Sequence, residues 1–159
     1  MELLCIVLAL GGFGINLLLW IRHMGGSGIA GCGGGSACEE ILNSQWSQVL
    51  GAPVTVFGGL IYLALLFALV ARVRLLLGIC LGLILGAAVW FVFVQAVLVG
   101  RFCPWCMTAH GIGVVVTLLG VRLLGTGGSI WSALRVIGLS AAAAICGIAL
   151  SQKLSLIHI

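Results

Sequence analysis

Acidic side chains are nearly missing: the 159 residues include three Asp or Glu against seven Lys or Arg, and charged residues make up 6% of the chain. A soluble domain carries roughly 25% charged and about 45–50% apolar residues. With 63% hydrophobic residues and a mean hydropathy of +1.37, this chain lacks the polar surface that such a domain needs. Its basic residues form no patch, so the net charge of +4 does not imply a nucleic-acid partner. A basic n-region and a small-residue cleavage site are missing too, so the first apolar run is expected to be a retained helix and not a signal peptide.

What is present is hydrocarbon in bilayer-sized lengths. Runs free of Lys, Arg, Asp and Glu cover 3–21, 53–70 and 75–100, and two more, 102–124 and 131–150, carry Arg122 and Arg135 near their ends. Each approaches the ~20 residues that cross a hydrocarbon core at about 1.5 Å per residue. The expected fold is an all-α integral membrane protein with five transmembrane helices. Arg72 and Arg74 lie between the second and third runs, and Arg122 and Arg135 flank the GTGGS linker, so the positive-inside tendency turns both loops to the cytoplasm. The 22–52 loop and the 101–106 turn then share the outer face.

Depth sorts the seven cysteines. Cys5, Cys80 and Cys146 sit inside apolar runs, where a free thiol behaves as a small hydrophobe. Cys32, Cys38, Cys103 and Cys106 fall on the outer face, which in bacteria is oxidising and lets paired thiols hold disulfides. In Cys103-Pro104-Trp105-Cys106, the two-residue gap lets the thiols bridge at the start of a helix. Pro104 suits the first helical position and puts Cys103 near the N-cap. The positive end of the helix favours thiolate over thiol, so such a pair is suited to exchange electrons. A c-type haem attachment is excluded because Met107, not His, follows the second cysteine.

The other pair lies in GGSGIAGCGGGSACEE, where glycine on both sides of Cys32 removes stiffness and makes a tether. After Cys38, the stretch EEILNSQWSQVLG has a helical pattern, with Leu42, Trp46 and Val49 on the side of Cys38 and Glu40, Ser44 and Ser47 opposite. A short amphipathic helix at the interface is expected there, broken by Gly51 and Pro53.

The ordered pattern resembles the vitamin K epoxide reductase family, particularly its bacterial members. It consists of Cys38, Ser44 and Trp46 as C-x5-S-x-W, then Gly51, Pro53, Phe57, Gly58 and Tyr62 as G-x-P-x3-F-G-x3-Y, then C-P-W-C. The resemblance covers residues 1–124 and implies a four-helix catalytic bundle around a quinone, with outer loop 22–52 and, over 125–153, a linker and a peripheral fifth helix. It implies that Cys32 receives a thiol from a thioredoxin-like partner, that Cys38 attacks Cys103, and that Cys106 faces a quinone of the menaquinone, ubiquinone or vitamin K type. Ser44, Thr55, Phe57, Tyr62 and His110 become the quinone-binding candidates. Animal members place Tyr at the position of His110 and Asn near Val54 or Thr55. The expected activity is a quinone-dependent thiol oxidoreductase of the bacterial inner membrane, with its cysteines periplasmic, supporting disulfide formation in exported proteins. The competing reading makes Cys32, Cys38, Cys103 and Cys106 a four-thiolate zinc site.

Among membrane-embedded polar groups, Asn16 and Gln95 read as interhelical hydrogen-bonding residues. Trp90 and Phe91 read as packing aromatics. The last residues, LSLIHI at 154–159, fit the codons CTG TCT CTT ATA CAC ATC of a transposon adapter and are expected to be foreign to the gene. On that expectation the intact gene is longer, and the thioredoxin-like partner is either a separate protein or a C-terminal domain of the kind that many bacterial members carry after a fifth helix.

Overall fold

The computed structural model describes residues 1–25, 30–125 and 129–157, and for residues 155–157 only the backbone. Helix α1 (Glu2–His23) leads into an outer segment with α2 (Ala37–Leu42), a 3-10 turn (Gln45–Ser47) and a hairpin of β1 (Gln48–Val49) against β2 (Ala52–Pro53). Helices α3 (Val54–Val70), α4 (Arg74–Phe93), α5 (Pro104–Gly125) and α6 (Ile130–Ile157) complete the chain, with one π-helical stretch, Val94–Val99, extending α4. Most of the tail expected to be foreign lies outside the described side chains.

Among the described residues, four helices are long and apolar enough to cross a membrane: Glu2–His23, Arg74–Val99, Pro104–Gly125 and Ile130–Leu154. The remaining one, α3, has 17 residues. At ~1.5 Å per residue it spans about 25 Å, the lower end of the membrane-spanning range. The protein is therefore the expected all-α membrane bundle, and Leu3, Val70, Leu118 and Leu139 point outward where lipid would meet them.

Helices α1, α3, α4 and α5 enclose a core containing Cys5, Tyr62, Leu65, Cys80, Leu81 and Val116. The fifth membrane helix, α6, stays at the edge, with 6% of its span buried. It nevertheless sits close on α4, because a Cβ at Gly82 would collide with Ser140 and the Ile137 carbonyl, and one at Gly86 with the Ala141 backbone. Small residues at such spacing let two membrane helices approach and gain dispersion contacts that lipid alone would not give. Cys146 faces outward from α6, unlike buried Cys5 and Cys80, so its expected packing role does not hold.

One end of the bundle carries the ion pair Arg72–Glu2 at 3.7 Å and the bond from Arg74 to the Leu124 carbonyl, which closes the C-terminus of α5. The helices alternate in direction, so the outer segment and the turn before α5 share the opposite end. The amphipathic helix expected there is shorter than its sequence pattern. Ser36 caps α2 by accepting from the Glu39 N–H at 3.3 Å, and the Glu39 carboxylate accepts from the Gly35 N–H at 2.8 Å. The helix ends at Leu42 because Ser44 is extended and starts a separate 3-10 turn. Ser47, expected on the polar side, is thereby buried. The hairpin turn follows with Leu50 at φ 53° and Gly51 at φ 79°, the two left-handed positions of a type I′ turn. Chain direction is thus reversed before Pro53 delivers it into α3.

Candidate functional site

Helix α5 begins where the spacing places it. Pro104 occupies its first position, and Cys103 acts as the cap: its carbonyl accepts from the Met107 N–H at 2.9 Å and its sulfur from the Cys106 N–H at 3.3 Å. A hydrogen bond from the Cys106 side chain is the main influence holding the Cys103 thiol below its ordinary value, at about 7. Burial opposes this, and the backbone N–H groups of Cys106 and Trp105 add to it.

The turn that presents Cys103 is held by Gln95. Its backbone carbonyl accepts from the Arg101 N–H at 3.1 Å and its side-chain Oε1 from the Cys103 N–H at 2.9 Å. The left-handed Gly100, at φ 69°, lets the chain fold back between these two bonds. Gln95 thus holds the turn that leads into α5 and is not the helix-to-helix bridge expected. Asn16 departs from expectation too, since its Nδ2 donates to Gly12 of its own helix at 2.8 Å.

The second cysteine pair lies over the first. Cys32 and Cys38 are joined as a disulfide with Cα atoms 5.0 Å apart. Both are fully buried with Cys103 in one cluster formed with Leu19, Ile41 and Leu42, bordered by Trp105 and Cys106. Three polar contacts fasten the segment to the helices: Arg22 Nε to the Cys32 carbonyl at 3.0 Å, Trp105 Nε1 to the Ala30 carbonyl at 2.9 Å, and Arg101 to Glu40 at 3.0 Å. The expected tether is a packed cap in its described part; residues 26–29 lie outside the described residues.

Beneath the cap is a cavity of ≈ 320 Å³ with an apolar lining. Of Cys32, Cys38, Cys103 and Cys106, only Cys106 reaches it. Thr55, Phe57, Tyr62 and His110 line it as well, whereas Ser44 does not: its Oγ donates to the Ile41 carbonyl at 2.7 Å. Tyr62 is committed to the Ala109 carbonyl at 3.4 Å. The Thr55 hydroxyl is buried without a partner, and His110 lies parallel to Phe91 at 6.0 Å with no hydrogen bond among the described residues. An apolar cavity that holds one orphaned hydroxyl and one imidazole without a hydrogen bond among the described residues is suited to a flat apolar molecule with carbonyl oxygens. Of the two aromatics read as packing, Phe91 lines the cavity and Trp90 instead donates to Gln152 at 2.9 Å. The cavity also takes in Trp46 from the cap and Ala143, Ala144, Gly147 and Ile148 from α6.

The site is thus a multi-pass helical bundle in which Cys103 and Cys106 stand at the rim of an apolar cavity and the Cys32–Cys38 disulfide is packed above them. The chain belongs to the vitamin K epoxide reductase family, whose sequence model matches residues 3–121. An uncharacterized protein of Archaeoglobus fulgidus is 51% identical over 35 residues, which are 22% of this chain and 30% of that protein. The chain therefore aligns with under a third of that relative's length.

Proposed function

We propose that the protein oxidises the thiols of a thioredoxin-like partner and reduces a membrane quinone, so sustaining disulfide formation in exported proteins. The observation that carries this reading is the order of the sulfurs: Cys32, Cys38 and Cys103 are buried together, and Cys106 alone touches the cavity. Electrons would enter at Cys32 and pass through Cys38 to Cys103. Attack by the Cys38 thiolate on Cys103 forms a Cys38–Cys103 bond and breaks the Cys103–Cys106 bond, releasing Cys106 as a thiolate at the cavity. A second thiol displacement completes the transfer and leaves Cys103 and Cys106 reduced. A quinone, when bound, supplies the acceptor for two electrons and two protons, and the Cys103–Cys106 disulfide is restored.

In this reading Thr55 and His110 are the donors to the quinone oxygens, Phe57 and Tyr62 shape the apolar walls, and Ser44 acts on the cap. A disulfide between Cys32 and Cys38 also weighs against the zinc reading, since a sulfur so bonded is not a thiolate ligand. Placing the cysteines on the periplasmic side of a bacterial inner membrane rests on Arg72, Arg74, Arg122 and Arg135 at the other end. Purified protein in lipid, given a reduced thioredoxin-like donor, should reduce menaquinone or ubiquinone in proportion to donor thiols consumed. Thiol consumption without quinone reduction would overturn the proposal.

A further inference from the structure

Helix α6 lies beyond residues 3–121, the part matched by the family, and sits on the outside of the bundle. Yet its outer end holds a glutamine that is 2% exposed and uses both ends of its carboxamide. Gln152 Oε1 accepts from Trp90 Nε1 at 2.9 Å, and Gln152 Nε2 donates to the Trp46 carbonyl at 2.8 Å. Trp46 belongs to the cap and lines the cavity. Trp90 precedes Phe91, the cavity residue parallel to His110. One side chain therefore ties three parts together: the cap, α4 and α6. Away from water these bonds have no ready substitute, because an abandoned indole N–H or carbonyl finds no solvent partner.

We propose that α6 is a wall of the quinone cavity and that Gln152 is the positioning residue that holds this wall closed against Trp46 and Trp90. The proposal rests on the quinone reading above, and it adds a segment outside the family-matched part to the binding site. Gln152 touches neither a reacting sulfur nor the cavity interior; it acts by fixing Trp46 and the segment of α4 that carries Phe91. Its loss should weaken quinone binding and leave thiol exchange unchanged.

The test uses the full chain in lipid, with quinone titrated at saturating reduced donor, and compares wild type with Gln152→Leu, Trp90→Phe and the double variant. The quinone KM should rise about tenfold in Gln152→Leu and less in Trp90→Phe, and the double variant should match Gln152→Leu because the Trp90 bond is already lost there. Both kcat and the rate of thiol transfer from donor through Cys32 and Cys38 to Cys103 should stay at wild-type values. A second, independent variant is Gly147→Leu, since Gly147 lines the cavity and a Cβ there meets nothing within 4 Å. Its side chain should fill part of the cavity and raise the same KM. An active wild type whose Gln152→Leu and Gly147→Leu variants keep its KM overturns this inference alone. Equal loss in quinone reduction and donor exchange would reduce Gln152 to a folding role and overturn it as well. A wild type inert toward every quinone overturns the functional reading, and this inference with it.

Discussion

Cys80 and Cys106 both sit in apolar membrane helices, but the two ends of the bundle give them opposite fates. Around Cys80 the inner half is closed by Leu65, Leu77, Leu81 and Val116, with no second sulfur bonded to it. Around Cys106 the outer end is irregular: a π-helical stretch, a left-handed glycine, a 3-10 turn and a hairpin bring four sulfurs and a cavity within one small region. Regular helix fills one half of the bundle, and broken helix gathers the candidate site at the other. Irregular backbone is tolerated at this depth only where protein or a cavity lines it.

Breaking the outer end should cost most. Replacing Cys103 or Cys106 with Ser should abolish quinone-linked turnover, because one remaining thiol cannot complete a two-electron exchange; residual turnover above background in the donor assay would contradict the comparison. Gln95→Leu should come next. It leaves the Cys103 N–H without its partner, a loss of about 1–3 kcal/mol for a buried donor, and should slow exchange at Cys103 by tenfold or thereabouts. Stopped-flow mixing with reduced donor reads this directly.

Those two substitutions differ in how visible their targets are in sequence. The Cys-x-x-Cys spacing, its proline and the apolar run behind it announce a capped helix with a reactive start, and the structure has that geometry. Gln95 does not announce itself, because a lone amide in an apolar run has the same pattern whether it bridges two helices or folds back on a turn eight residues later. Gln152 was hidden for the same reason, since nothing local links it to Trp46 across 106 positions. The cap was half legible. Ser36 and Glu39 carry the Ser-x-x-Glu start signal of α2, whereas the stop at Leu42 depends on the extended Ser44, which overrides a helical periodicity continuing to Val49.

Smaller effects sharpen the contrast. With the Cys103 thiol held near 7, its thiolate should form as pH rises through that value, earlier than for an ordinary thiol at about 8.5. A depressed folded-state pKa stabilises the reduced protein above the unfolded-state value, and that stabilisation is lost as pH falls through about 7. Thiolate ultraviolet absorbance in a Cys5→Ala, Cys80→Ala, Cys146→Ala background follows this titration, and a midpoint at or above 8.5 would remove the special status of the helix start. Smallest of all is Cys80→Ala alone, which should cost about 1 kcal/mol of packing and leave turnover near wild type. Loss of activity in folded Cys80→Ala protein would erase the division between the two ends.

The central claim is the order of the sulfurs, and one trapping experiment reads it. In a Cys106→Ala protein, the free Cys103 thiolate attacks the Cys32–Cys38 disulfide at Cys38, forming a Cys38–Cys103 bond and releasing Cys32 as a thiol, and no second thiol remains on α5 to displace Cys38. Protease digestion under non-reducing conditions, followed by mass spectrometry, should recover a cross-linked peptide pair containing Cys38 and Cys103. Recovery of Cys32 joined to Cys103 instead would contradict the assigned path.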